Sequence, residues 1–143
     1  MAIHMPPIGL LKSQRAIKIS VDGVATRSEG DLPRVGDEEV RVRMVCVALN
    51  PVDSKSVEIS PTHRATVGCD FAGEVVQMGK AVSTRVGGCV FGNNPMRPNN
   101  GAFAEYVAVL ARLVLVVPPT MPYQSAATLG VSLPTVGLAL YRG

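Results

Sequence analysis

The 143-residue sequence has no tryptophan, only 4% aromatic residues and 17% charged ones. So little aromatic surface leaves few platforms on which single-stranded nucleic acid could stack. Basic residues outnumber acidic ones only 14 to 11. They are scattered, and where they gather they alternate (Arg41, Arg43), which marks the wet face of a strand rather than a phosphate-binding stripe. No nucleic-acid partner is expected. No run reaches the ~18 apolar residues of a membrane span, and the opening M-A-I-H-M-P-P-I-G lacks the regions of a signal peptide. Three isolated cysteines, Cys46, Cys69 and Cys89, form no paired framework, so reduced thiols and a cytoplasmic location are expected.

What the chain does have is material for a core. Apolar residues make up 47% of it, which excludes disorder. A chain of this length forms one domain and buries roughly 68–70% of its unfolded surface without metal or disulfide staples. Residues 15–21 alternate, with Ile17, Ile19 and Val21 opposite Lys18 and Ser20, before Asp22-Gly23 turns the chain into a hairpin. Residues 28–36, with Gly30, Pro33 and Gly36, read as loop. Residues 39–49 make the clearest strand, with Val40, Val42, Met44 and Cys46 on one face and Arg41 and Arg43 on the other. A second core strand covers 69–78, with Gly73 as a bulge or bend. Strands at 86–91, 103–109 and 113–117 follow, and Pro118-Pro119 ends the sheet. Short strands with Gly/Pro turns predict a small barrel or sandwich. Only the end is helical. One helix covers 122–129, capped by Thr120, and a second covers 133–141, with Leu138 and Leu140 to bury.

In order along the chain stand N-P-V-D-S-K (50–55), G-C-D-F-A-G-E-V-V-Q-M-G (68–79), V-F-G (90–92), G-A-F-A-E-Y (101–106) and a Pro-bounded helix with paired alanines. Together these resemble the N-terminal catalytic domain of medium-chain dehydrogenase/reductases, and most nearly the zinc-free, quinone-oxidoreductase-like branch. Within that branch the chain looks most like the trans-acting enoyl reductases of fungal polyketide and polyketide–peptide pathways, from about Ser13 to its end. The resemblance implies a mainly β fold: an N-terminal extension (residues 1–12), a GroES-like partial β-barrel (13–120), and short helices (121–143) leading toward a nucleotide-binding domain. It also implies NADPH as cofactor and a polyketide synthase or polyketide–peptide synthetase as the partner that presents the enoyl chain.

In zinc-dependent members of that superfamily the position of Asn50 holds a metal-binding cysteine and that of Cys69 a histidine. A catalytic zinc needs three converging N, S or O ligands. Asn50 and Cys69 break that set, so no metal is expected. Without one, the charge that forms as hydride arrives needs another stabiliser. A lysine ammonium in a dry cleft serves electrostatically or as proton donor. The resemblance gives Lys55 this catalytic role and places Val52, Asp53, Ser54 and Lys55 along the NADP site, with Asp53 steadying the ammonium. It also puts Thr135 on the nicotinamide and makes Val136, Gly137, Leu138, Ala139 and Leu140 lining for the acyl pocket. From the residues alone, Asp53 and Lys55 equally form a solvated pair opening a helical turn, and 136–140 an amphipathic helix packed on the barrel. Asn50 and Asp70 equally bond backbone in turns.

The Gly-rich strand–turn–helix that receives a dinucleotide pyrophosphate is not found. G-G-C-V-F-G (87–92) lies between strands, and G-V-S-L-P-T-V-G (130–137) contains Pro134 and has the wrong spacing. A nucleotide-binding domain adds on the order of a hundred residues or more, so these residues are expected to be a truncated reductase that does not turn over unaided. Two other functions stay open. One is a non-catalytic GroES-like binding module or degenerate remnant, and the other is a quinone or small-enone reductase. Gly130, where the resembling enzymes commonly carry proline, reads as relaxed constraint.

Overall fold

A computed structural model describes residues 12–59, 65–82, 88–94 and 100–141. Strands β1 (Ser13–Ile19) and β2 (Ala25–Asp31) form an antiparallel hairpin. A second antiparallel sheet contains β3 (Glu39–Val47), β4 (Asp70–Met78), β5 (Cys89–Asn93), β6 (Tyr106–Leu110) and β7 (Val114–Val116), in the order β6-β3-β4-β5-β7. Helix α1 (Pro51–Ile59) joins β3 to β4, while α2 (Tyr123–Ala127) and α3 (Leu129–Tyr141) follow the sheet. This is the mainly β partial barrel with short terminal helices that the sequence predicts. No helix among the described residues is long and apolar enough to cross a membrane.

The sheet is buried on two faces, and strand alternation sorts its residues between them. On β4 and β5, Phe71 and Val90 join Val40, Val42, Val107 and Val109 in the barrel interior. The next residue along each strand, Ala72 and Phe91, packs instead with Val117, Ala126 and Ala127 beneath α2. The Tyr123 hydroxyl donates to Cys89 Sγ at 2.6 Å, pinning α2 to β5. The hairpin closes the barrel along β1. Ile17 N–H donates to the Phe103 carbonyl at 2.8 Å, Ile19 N–H to that of Ala65 at 3.0 Å, and Val67 N–H to that of Ile17 at 2.9 Å.

Several expectations are corrected here. Residues 28–31 are strand rather than loop, since Gly30 and Asp31 pair with Gln14 and Ser13. Strand β2 is polar and mostly exposed, so the alternation that marks a half-buried strand is missing and backbone pairing alone defines it. Gly73 is not itself the bulge. The extra residues are Val45 on β3 and Val76 on β4. Gly73 is a point of close approach, because a Cβ there would lie 2.1 Å from the Arg43 carbonyl oxygen. The strand expected at 86–91 runs from Cys89 to Asn93, and residues 83–87 lie outside the described residues. Thr120 is not a helix cap. Met121 N–H bonds the Pro118 carbonyl in a turn at 2.9 Å, and α2 starts after Pro122 with no side-chain cap. Helix α3 begins at Leu129, earlier than expected, and only its Gly130 is buried. Leu138 and Leu140 remain 53% and 68% exposed, because past its first turn the helix has no core beneath it among the described residues.

Phe71 is the largest fully buried side chain. Phe71→Ala should therefore destabilise the fold by about 3–5 kcal/mol, read as a lower urea midpoint. A cost below about 1 kcal/mol would mean that the barrel interior is not the core.

Candidate functional site

Strand β3 ends where helix α1 is capped. Asn50 Oδ1 accepts from Val52 N–H at 3.1 Å, and Asp53 Oδ2 accepts from Asn50 N–H at 2.8 Å. This is a reciprocal capping box with proline at the first helical position, where its missing N–H costs nothing. N-P-V-D is thus a helix start written in four residues. Asp53 is buried, and its second oxygen, Oδ1, has no hydrogen-bond partner among the described residues.

Helix α3 is held by two side chains that stand opposite each other in the sheet, Asp70 on β4 and Asn93 on β5. Asp70 Oδ1 accepts from Val131 N–H, one of the first-turn amides that a helix cannot satisfy itself. Asn93 Nδ2 donates to the Gly130 carbonyl at 2.9 Å. That carbonyl would normally accept from residue 134, but Pro134 has no N–H. Asn93 therefore supplies the donor that the proline removes, and the helix continues through it. Gly130 is fixed by the same approach. A Cβ there would lie 2.3 Å from the Gly92 carbonyl oxygen and 2.5 Å from Asp70 Oδ1. Relaxed constraint is overturned, because no side chain fits.

The two helix starts converge on one carboxylate, since Asp70 Oδ2 also accepts from Asn50 Nδ2 at 3.1 Å. Asp70 is 2% exposed. Burial raises its pKa above the ordinary carboxylate value, opposed by the bonds from Val131 and Asn50 and helped by the nearby charge of Asp53. Asn50 and Asp70, left open between site and turn by the sequence, are a structural hub.

The sequence-derived site residues lie on these two helices. Val52, Ser54 and Lys55 are exposed on α1, and Ser54 Oγ donates to the Pro51 carbonyl at 3.2 Å. Asp53 does not steady the Lys55 ammonium. Residues two apart on a helix point to different sides, and Asp53 spends one oxygen on the cap. No ion pair involves Lys55 among the described residues. On α3, Thr135 Oγ1 donates to the Val131 carbonyl at 2.7 Å, so the hydroxyl is left to act as an acceptor. Val136, Leu138, Ala139 and Leu140 are exposed and Gly137 half-buried. Two adjoining clefts, of about 500 and 540 Å³, share Ile17, Leu49 and Phe103, and the second runs along Asn50, Pro51, Asp53 and Ser54. Lys55 and the α3 residues line neither.

The groups that the two helices leave outward are few. Lys55 offers a cation and Thr135 an acceptor. The helix N-termini that would otherwise attract a pyrophosphate are already occupied by the chain's own Asp53 and Asp70. Among the described residues no group of three or more His, Cys, Asp or Glu side chains converges as metal ligands do. The Asn50 amide is committed to Val52 and Asp70.

Residues 36–119 match the alcohol dehydrogenase GroES-like domain family. Over 138 residues the chain is 52% identical to a trans-enoyl reductase of Emericella nidulans, covering 92% of this chain and 41% of the relative. It is 53% identical over 139 residues to a trans-enoyl reductase of Penicillium oxalicum, covering 91% and 38%. The quinone oxidoreductase of Coxiella burnetii superposes with a TM-score of 0.75 at 22% identity, covering 92% of this chain and 45% of its own. That last likeness shows the fold. The chain spans about two fifths of the length of the curated relatives it matches.

Two measurements check this arrangement. Asn93→Ala should cost about 1 kcal/mol or more in the parent chain, where it strands the Gly130 carbonyl, and clearly less in a Pro134→Ala background, where a backbone N–H returns. Additive costs would contradict the exchange of donors. The second measurement is the pH dependence of stability against Asp70→Asn. Because Asp70 is raised in the fold, the native state holds its proton to higher pH than the unfolded chain. The parent should lose stability relative to Asp70→Asn as pH rises from 3.8 through the raised value, then level off. A difference that ran the other way would mean that the ionised form is favoured by folding.

Proposed function

The chain belongs to the alcohol dehydrogenase GroES-like domain family, and on that footing we propose that it is the barrel domain of a trans-acting, NADPH-dependent enoyl reductase. Its partner is then a polyketide synthase or polyketide–peptide synthetase that presents an acyl chain in the cytoplasm. The relatives that match most of this chain are named trans-enoyl reductases, which supports the reaction class.

The observation that carries the reading is Lys55. It lies one turn into α1, exposed and without an ion pair among the described residues. It sits mid-helix on the exposed side of α1. Its use is outward, toward an oxygen that gains negative charge. When bound, NADPH supplies the hydride. Lys55 Nζ holds a proton beside the enoyl carbonyl oxygen as charge develops there, a task for which a fixed ammonium suits a site without metal. Leu133, Val136 and Leu140, spaced three and four apart, give α3 an exposed apolar side. An acyl chain lies along it and water is excluded from it, while Leu138 lies on another side of the helix. Thr135 Oγ1, its proton spent on Val131, accepts from an amide donor. Asp53 stays beneath as the cap and leaves the ammonium uncompensated.

The test is reduction of an enoyl thioester with NADPH by the full-length gene product, compared with Lys55→Ala and, in parallel, with a quinone as acceptor. Thioester turnover that falls about a hundredfold in kcat in Lys55→Ala is expected. Turnover of the quinone alone would move the protein to the quinone-reductase class. Full thioester activity in Lys55→Ala would remove the lysine from the chemistry.

A further inference from the structure

We infer that Asp70 is a positioning residue for the proposed reaction, clamping the helix that bears Lys55 to the helix that bears Thr135. The inference rests on the enoyl-reductase reading and adds the element that sets the geometry of its two groups. One buried carboxylate holds both helix starts. Oδ2 takes the Asn50 amide, whose own oxygen caps α1 at Val52, and Oδ1 takes the Val131 amide of α3. Lys55 lies five residues beyond Asn50, and Thr135, whose hydroxyl bonds the Val131 carbonyl, lies one turn beyond Val131. The two groups are therefore placed relative to each other through a short chain of bonds. No other side-chain hydrogen bond among the described residues joins the start of α1 to α3 through a shared atom group.

The polarity of the clamp is specific. Asp70 is accepting at both oxygens, and Asn50 must donate to it while accepting from Val52. In Asp70→Asn, the new amide oxygen can still serve Val131. Its nitrogen then meets Asn50 Nδ2 donor to donor, and turning either amide over strands Val52 or Val131. In Asn50→Asp, at a pH where both are ionised, two carboxylates face each other and repel, with no donor between them. The double substitution Asn50→Asp/Asp70→Asn repairs every bond with reversed polarity. The amide at position 70 accepts from Val131 and donates to position 50, and the carboxylate at position 50 accepts from that amide and from Val52. Simple loss of bulk or polarity cannot produce such a rescue, because neither variant changes side-chain size appreciably.

The experiment uses the full-length protein in four forms: parent, the two single variants and the double variant. Amide hydrogen exchange at Val52 and Val131 is measured together with kcat and KM for NADPH and an enoyl thioester, at a temperature where all four are fully folded. Asp70→Asn should lose roughly tenfold in protection at the amide it strands. Asn50→Asp strands neither amide but sets two carboxylates against each other, and should lose protection as the two helix starts are pushed apart. Each should lose roughly tenfold in kcat, with KM for NADPH little changed. The double variant should recover both to within about threefold of the parent. A double variant as impaired as the singles would overturn the clamp. Exchange that moves while kcat of folded protein stays level would reduce Asp70 to a structural residue and overturn the positioning role. A parent with no reductase activity would sink the enoyl-reductase reading itself, and amide exchange would then decide the clamp alone.

Discussion

The buried carboxylate of Asp70 is the point on which the functional half of the molecule depends. Strands hold themselves together by pairing, and the barrel interior needs only apolar side chains in alternation. Helices α1 and α3 have less of such support than α2, whose Ala126 and Ala127 are buried. Helix α1 sets the half-buried Val57 against Ile19, Ala65 and Val67, and α3 sets Leu129 beside α2 but fully buries only a glycine. What locates them is a set of hydrogen bonds at their N-termini, where backbone amides lack intrahelical partners. Asp70 accepts from α3 directly and from α1 through Asn50. Asn93, its neighbour across the strand pair, accounts for the carbonyl that Pro134 leaves without a donor.

This economy has a chemical consequence. A helix N-terminus attracts anions because of its exposed N–H groups and its dipole. Here that attraction is consumed internally by Asp53 and Asp70. The surface beyond them keeps the Lys55 ammonium, which makes no ion pair among the described residues, and the exposed apolar residues of α3. On the proposed reading it takes the reacting end of a cofactor and a hydrocarbon chain rather than a pyrophosphate. Tight packing around Gly130 fits the same logic, since a methyl group would push the Gly92 backbone and Asp70 apart.

Much of the barrel was legible in the sequence because it obeys periodicity. Val40 and Val42 alternate with Arg41 and Arg43, and the structure buries the valines as the pattern demands. The hairpin at Asp22-Gly23 was legible and forms, but the extent of β2 was not, since the mostly exposed run of Thr26, Arg27, Ser28 and Glu29 has no apolar rhythm to read. Helix α3 misled in two ways. Pro134 hid its first turn, because no local pattern announces that Asn93, far away in sequence, supplies the missing donor. Leu138 and Leu140 suggested burial, but local pattern cannot say what lies opposite. The hub itself carried a signal that was there to use. Asn, Pro and Asp at the cap, first and third positions spell a capping box, and this explains why Asp53 points inward and away from Lys55. Nothing local pairs Asn50 with Asp70, because that contact is made by the fold.

The most direct test is a carbon-detected NMR titration of the Asp70 carboxyl, followed together with the amide proton of Val131 and the side-chain amide of Asn50. The expected result is a single shared midpoint, with all three signals moving together, because both donors bond the carboxylate that is titrating. A Val131 amide or an Asn50 side-chain amide indifferent to the ionisation of Asp70 would contradict the clamp.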